Sequence, residues 1–203
     1  LGGIRAYGIN NLTIINSNVS SFSLGMVFQG CSNLIVRGNN LTDNLSAILL
    51  ELADNVLISN NTMNFDHTDG ILAGSSNSPN IFNNSISESL NGIELDNCNN
   101  SIVQTNNMVN NLFSIELSDS YNNNLLENEI MGNITDHGVW LDSSSNNILA
   151  DNNVWGNNEG FSLFNSSQNT IIGNKIENNV IGMDLNNSTY NKIYHNNFVN
   201  NSQ

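Results

Sequence analysis

Residues 169–190 read NTIIGNKIENNVIGMDLNNSTY, and the rest of the chain repeats this stretch. Its fixed points are an aliphatic residue (Ile171), Asn174, an apolar anchor (Ile176), and a Gly-led segment holding Gly182, Met183 and Leu185. Self-similarity at a period of roughly 20–50 residues marks a solenoid, a propeller or an array. Here the period is about 22 residues. One register runs from end to end. Its aliphatic column is Ile14, Val36, Ile58, Ile81, Val103, Leu125, Leu149, Ile171 and Ile193. Two residues before each anchor stands Ser17 once, then Asn39, Asn61, Asn84, Asn106, Asn128, Asn152, Asn174 and Asn196.

Each turn contains three short apolar segments separated by Asn, Gly and Ser, and within them the alternation has period two, as in Ile93-Glu94-Leu95. That alternation is the mark of half-buried strands. Three short strands joined by bends in each turn describe one coil of a triangular parallel β-helix. A helical repeat would need long amphipathic runs rich in Ala, Leu, Glu and Lys, whereas this chain has four Lys plus Arg. The expected fold is therefore all-β, a single-stranded right-handed parallel β-helix of nine coils. Identical Asn side chains stacked about 4.8 Å apart can pass amide hydrogen bonds from coil to coil. Asn also tolerates the left-handed backbone of a sharp bend, so the Asn column is expected both to form a ladder and to turn the corners.

The pattern N-x-I-x-x-N-x-I followed by G-I-x-L resembles the repeats of the pectate-lyase-like superfamily. It is most similar to the CASH-type (carbohydrate-binding and sugar-hydrolysing) repeats, among them those of the copper-binding accessory protein for nitrous oxide reductase. Asn-rich versions are similar to repeats of archaeal surface proteins. The resemblance covers essentially all 203 residues and implies the β-helix; a shared fold does not fix a function. Copper, which one of these families binds, would want clustered His, Cys or Met. His67, His137 and His195 are scattered over different coils.

The chain reads as one domain, residues 1–203, and as a piece of a longer repeat protein, because it opens and stops in mid-coil. Uncapped ends of that kind would meet neighbouring coils or subunits. With 47 Asn and a formal charge of −14, the composition argues against nucleic acid, whose binding rests on Lys and Arg neutralising phosphates. No apolar run is long enough to span a membrane. Twelve Asn-x-Ser/Thr sequons, against about eight expected from composition, fit an extracellular or cell-surface glycoprotein. Cys31 and Cys98 occupy one column three coils apart, about 14 Å, so they are expected to be free and buried.

The repeat breaks in two places, both just before a Gly-led strand. The turn from Met63 to Gly70 is one residue longer than its equivalents and carries Asp66-His67. The turn from Ile130 to Gly138 is two residues longer and carries Asp136-His137. Insertions of this kind map to loops on one face of a solenoid, often the binding face. Between the two loops the outward positions hold Glu94, Asp96, Glu116 and Asp142 beside Trp140, which reads as a shallow acidic groove with an aromatic platform and with His137 at its edge. Such a groove could contact a polysaccharide or surface glycan, or hold Ca²⁺ at Glu94, Asp96 and Glu116. Val27, Leu49 and Leu72 form an outward apolar strip over three further coils.

The sequence favours a non-catalytic role, an extracellular spacer or surface module with weak glycan binding at Glu94, Glu116 and Trp140. The second reading is a polysaccharide-acting glycosidase in which Glu94 and Glu116 are acid and base. Neighbouring carboxylates about 5 Å apart have the separation of a retaining enzyme. A lyase would need a basic residue in the groove. Arg5, Arg37, Lys175 and Lys192 all fall elsewhere.

Overall fold

The computed structural model describes residues 2–133 and 136–203. It is a right-handed parallel β-helix of nine coils whose strands assemble into three parallel sheets of nine. Each coil opens with a strand of six residues, such as Asn91–Asp96, and continues with two strands of three, such as Ile102–Gln104 and Asn107–Val109. Each strand pairs with its counterparts one coil before and after, in unbroken register.

The core is a stack of like residues. Ile58, Ile81, Ile93, Ile115, Leu95, Leu117 and Leu125 are fully buried, as are the anchors Met63, Ile86, Met108 and Ile130. Glycine is favoured at the second position of the six-residue strands, where Ala47 and Ser114 also occur, because that position faces inward against the next coil. A Cβ on Gly92 would stand 2.5 Å from the Ser114 carbonyl oxygen.

The Asn ladder forms as expected. Asn84, Asn106 and Asn128 each donate the backbone N–H and side-chain Nδ2 to Oδ1 of the next Asn, at 2.9–3.1 Å. Each Nδ2 also donates to a carbonyl of the preceding coil, as from Asn106 to Ile81 at 3.0 Å. The corners differ from expectation. The left-handed residue is the one before each ladder position, Ser17 included: Asn16, Gly38, Asn60, Asn83, Thr105, Glu127, Asp151, Gly173 and His195. Ladder asparagines are spent on hydrogen bonding, and the corner itself is tolerant enough to accept Thr and Glu.

Two further stacks run beside the first. One holds Asn44, Asp66, Ser89 and Asn111, then Asn157, Asn179 and Asn201. The other holds Asn123, Asn147, Asn169 and Asn191. Cys31 and Cys98 are free and buried. Cys98 sits within a serine stack, its N–H donating to Ser120 Oγ and its Sγ to the Ala73 carbonyl. Burial pushes its thiol up to about 11. The expected outward apolar strip is only partly open: Val27 is 5% exposed and Leu49 and Leu72 are half-buried.

Candidate functional site

In each six-residue strand the second position, glycine in most coils but Ala47 and Ser114 in two, faces inward together with the third. This break in alternation decides which side chains reach the outer face of the long sheet. In Asn91–Asp96 the third and fifth residues, Ile93 and Leu95, are fully buried, and Gly92 also faces inward. The first, fourth and sixth residues, Asn91, Glu94 and Asp96, therefore share the outside. The first column runs Ser46, Asp69, Asn91, Phe113, His137 and Glu159. The fourth runs Leu49, Leu72, Glu94, Glu116, Trp140 and Ser162, and the sixth Glu51, Gly74, Asp96, Ser118 and Asp142.

Glu94 and Glu116 are direct neighbours across one strand pair, and Trp140 follows in the next. Burial pushes the Glu94 carboxyl up to about 7. A hydrogen bond from Asn91 opposes this shift, and the charges of Glu116, Asp69 and Asp96 add to it. Burial also raises Glu116, opposed by a hydrogen bond from Ser118 and reinforced by Asp142, Asp69 and Asp96. Like charges on adjacent strands disfavour the doubly ionised state. The two carboxyls therefore hold a proton more readily than free glutamates do.

Asp69, Asn91, Phe113 and Glu159 belong to this face but do not stand out in the sequence, because strict alternation counted back from Ile93 turns the first column inward. Asn91 is 8% exposed. Its Nδ2 donates to Glu94 Oε2 at 2.6 Å and to Asp69 Oδ1 at 3.3 Å, while its Oδ1 has no hydrogen-bond partner. Asp69 in turn accepts from Ser46 Oγ at 2.8 Å. A chain of polar contacts thus joins Ser46 to Glu94 along the strand starts.

Trp140 is not a free platform. It stands half-buried with Phe113 and His137, whose rings stack with centroids 4.9 Å apart and planes 7° from parallel. The indole meets both edge-on, at 5.8 and 5.2 Å. His137 Nδ1 lies 3.5 Å from Glu159 Oε2, close enough for an ion pair when the imidazole is protonated, but without hydrogen-bond alignment. The longer loop before His137 delivers it here. Asp136 is buried, its carbonyl accepts the N–H of Asn158 at 2.7 Å, and its Oδ2 accepts the N–H of Asn133. The central residues of that insertion, 134 and 135, lie outside the described residues.

The other insertion does something different. His67 is exposed and lies 3.3 Å from Asp43, while Asp66 turns inward into the second ladder. Among the described residues the face encloses no pocket, so the expected groove is a surface bounded by one aromatic cluster. Among the described residues no three of His, Cys, Asp and Glu converge into a group suited to a metal ion. No helix among them is long and apolar enough to cross a membrane.

Several solved structures share this architecture. The periplasmic alginate epimerase AlgG superposes with a TM-score of 0.84 at 22% identity, over 92% of this chain and 50% of its own. The A-module of the Azotobacter vinelandii mannuronan C-5 epimerase AlgE4 gives 0.61 at 16% identity, over 96% and 61%. ORF18 of Geobacillus virus E2 gives 0.61 at 12% identity, over 97% and 54%. The chain thus spans about half the length of AlgG, and at these identities the likeness is one of fold. No curated protein sequence gives a match. The model of a family described as periplasmic copper-binding protein (NosD) matches residues 2–134 and again 65–203, and the chain belongs to that family.

Proposed function

We propose that the long-sheet face around Glu94, Glu116, Trp140 and His137 binds a glycan, and that the protein works outside the cytoplasm as a rigid β-helix carrying that surface. The observation that carries the proposal is the adjacency of the aromatic cluster to the two carboxyls. The exposed part of an indole offers an apolar ledge to the C–H face of a sugar, and carboxylates beside it accept from sugar hydroxyls. The description of the family as periplasmic and the polysaccharide-acting names of the AlgG and AlgE4 neighbours support the same reading.

A second reading is favoured by one observation. With its carboxyl raised to about 7, Glu94 keeps its proton at pH 6, as a general acid must, while Asp96 and Asp142 beside the pair supply negative charge. Glu94 and Glu116 would then act as acid and partner carboxylate on a glycosidic bond.

Copper is no part of this proposal. Cys31 and Cys98 turn their sulfurs onto backbone carbonyls, and His67, His137 and His195 stand in separate coils. Soft-metal chemistry needs such donors together.

The test is a titration of a glycan panel, with and without Ca²⁺, following Trp140 fluorescence in a Trp155→Phe background. A saturable change that Glu116→Gln weakens is expected. A panel with no saturable response would overturn the glycan reading. Sugar release that persists in Glu94→Gln would remove the second.

A further inference from the structure

The chemistry of this face selects among glycans. The outer surface gathers Asp69, Glu94, Asp96, Glu116, Asp142 and Glu159 on five successive strands. Of the four basic residues, only Arg5 stands on the long sheet, four coils before Glu94, about 19 Å at the usual strand spacing. Arg37, Lys175 and Lys192 belong to the other two sheets. A uronate polymer would bring one carboxylate per sugar to a surface whose one basic group among the described residues, the His137 imidazole, already faces Glu159 at 3.5 Å.

Polar atoms in the floor of the site point the same way. Asn91, more than nine-tenths buried, commits its amide donor to Glu94 and Asp69 and leaves Oδ1 unpartnered. Glu159 Oε2 also lacks a hydrogen bond. With the amide donor beneath it already committed, the face presents mainly carboxyl groups, and its complement is a ligand that supplies donors and positive charge. Coils repeat at about 4.8 Å, close to the length of one pyranose unit. A polymer lying along the helix axis would therefore set one sugar against each coil.

We propose that this face takes a cationic amino-sugar polymer, its ammonium groups pairing with Glu94 and Glu116 and one ring against Trp140. Pairing displaces to solvent the proton that Glu94 holds on the free face. The proposal rests on the glycan reading above and narrows it to one substrate class.

The experiment compares three hexamers at pH 6 by calorimetry on the full chain: glucosamine, N-acetylglucosamine and mannuronate. The glucosamine hexamer should bind at least tenfold more tightly than the acetylated one, and mannuronate should not bind. Trp140→Ala and Glu116→Gln should each weaken the glucosamine complex tenfold or more, with circular dichroism melts confirming that both variants fold. A mannuronate or acetylated hexamer that binds as tightly as glucosamine, and loses affinity in Trp140→Ala, overturns the amino-sugar assignment while keeping the glycan site. Glucosamine binding that neither substitution weakens is diffuse attraction to an anionic protein, and also overturns it. If none of the three binds, both readings fall.

Discussion

At the scale of single residues, Asp66 is where the repeat departs furthest from its own rule. The second ladder calls for an amide, whose oxygen accepts from the coil before and whose Nδ2 donates to a carbonyl, as Asn111 donates to Ile86 and Asn179 to Val154. Asp66 keeps half of this. Its Oδ1 accepts both donors of Asn44, at 2.9 and 3.0 Å. Its Oδ2 is buried with no partner, and by register the acceptor it faces is the Leu41 carbonyl. Only the protonated acid can donate there. Burial accordingly pushes its carboxyl up to about 6, against the hydrogen bonds from Asn44 and the charge of His67, with Asp43 adding to the rise. A carboxyl whose folded pKa lies above its unfolded value contributes most below the unfolded pKa, near pH 4, and loses that contribution as pH climbs through 6. The shift corresponds to about 2–3 kcal/mol. Asp66→Asn should therefore raise stability at pH 8 by about 1–3 kcal/mol and flatten its pH dependence between 4 and 7. Urea melts at pH 4.5 and pH 8 decide it, and a variant no more stable at pH 8 would show that Oδ2 finds another partner. In the sequence Asp66 and His67 stand together in a turn one residue longer than its equivalents, and insertions of that kind often mark a binding face. Only the coil geometry shows one facing in and the other out.

Among elements, the Asn ladder carries more of the fold than its polarity suggests. Asn106 accepts from the N–H and Nδ2 of Asn84, and donates to Asn128 and to the Ile81 carbonyl, all in a buried setting. Truncation would leave the Asn84 N–H and the Ile81 carbonyl without these partners, at about 1–3 kcal/mol for each buried group left unsatisfied. Asn106→Ala should thus cost about 3 kcal/mol or more, whereas Asn107→Ala, at an exposed strand start, should stay within about 0.5 kcal/mol. Equal effects in denaturant melts would mean that the ladder is ornamental. The same element scale marks how far the sequence was legible. Column, coil number and ladder were all readable because a 22-residue register repeats identical environments. The face was half readable. Glu94, Glu116, Asp96, Asp142 and Trp140 follow simple alternation and do stand together. Asp69, Asn91, Phe113 and Glu159 were missed because the second and third positions of each six-residue strand both face inward, a break in alternation that occurs at Ser114 as well as at Gly70, Gly92 and Gly160. Left-handed corners at Thr105 and Glu127 were equally silent, since neither residue favours that conformation on its own.

For the whole molecule, stability is a sum over coils and the contacts between them, because each coil touches only its neighbours. The pairing is uniform along the axis, each strand against its counterparts one coil away. There is no central core that every element shares. A lesion should therefore stay local. Ile130 is fully buried midway along the stack, between Met108 and Val154. Aspartate there would put an unpaired charge among apolar side chains, which costs far more than the few kcal/mol that one coil-to-coil contact supplies. Amide exchange in Ile130→Asp should accelerate at least a hundredfold in the neighbouring strands Asn107–Val109 and Asn153–Trp155. It should change less than tenfold in the remote strands Leu41 and Ile171 belong to, Asn40–Thr42 and Thr170–Ile172. Exchange that rises equally along the whole chain would mean that the nine coils unfold as one unit. A glycan laid along several coils would then tighten them together rather than one by one, and ligand protection of amides far from Trp140 would be the sign of it.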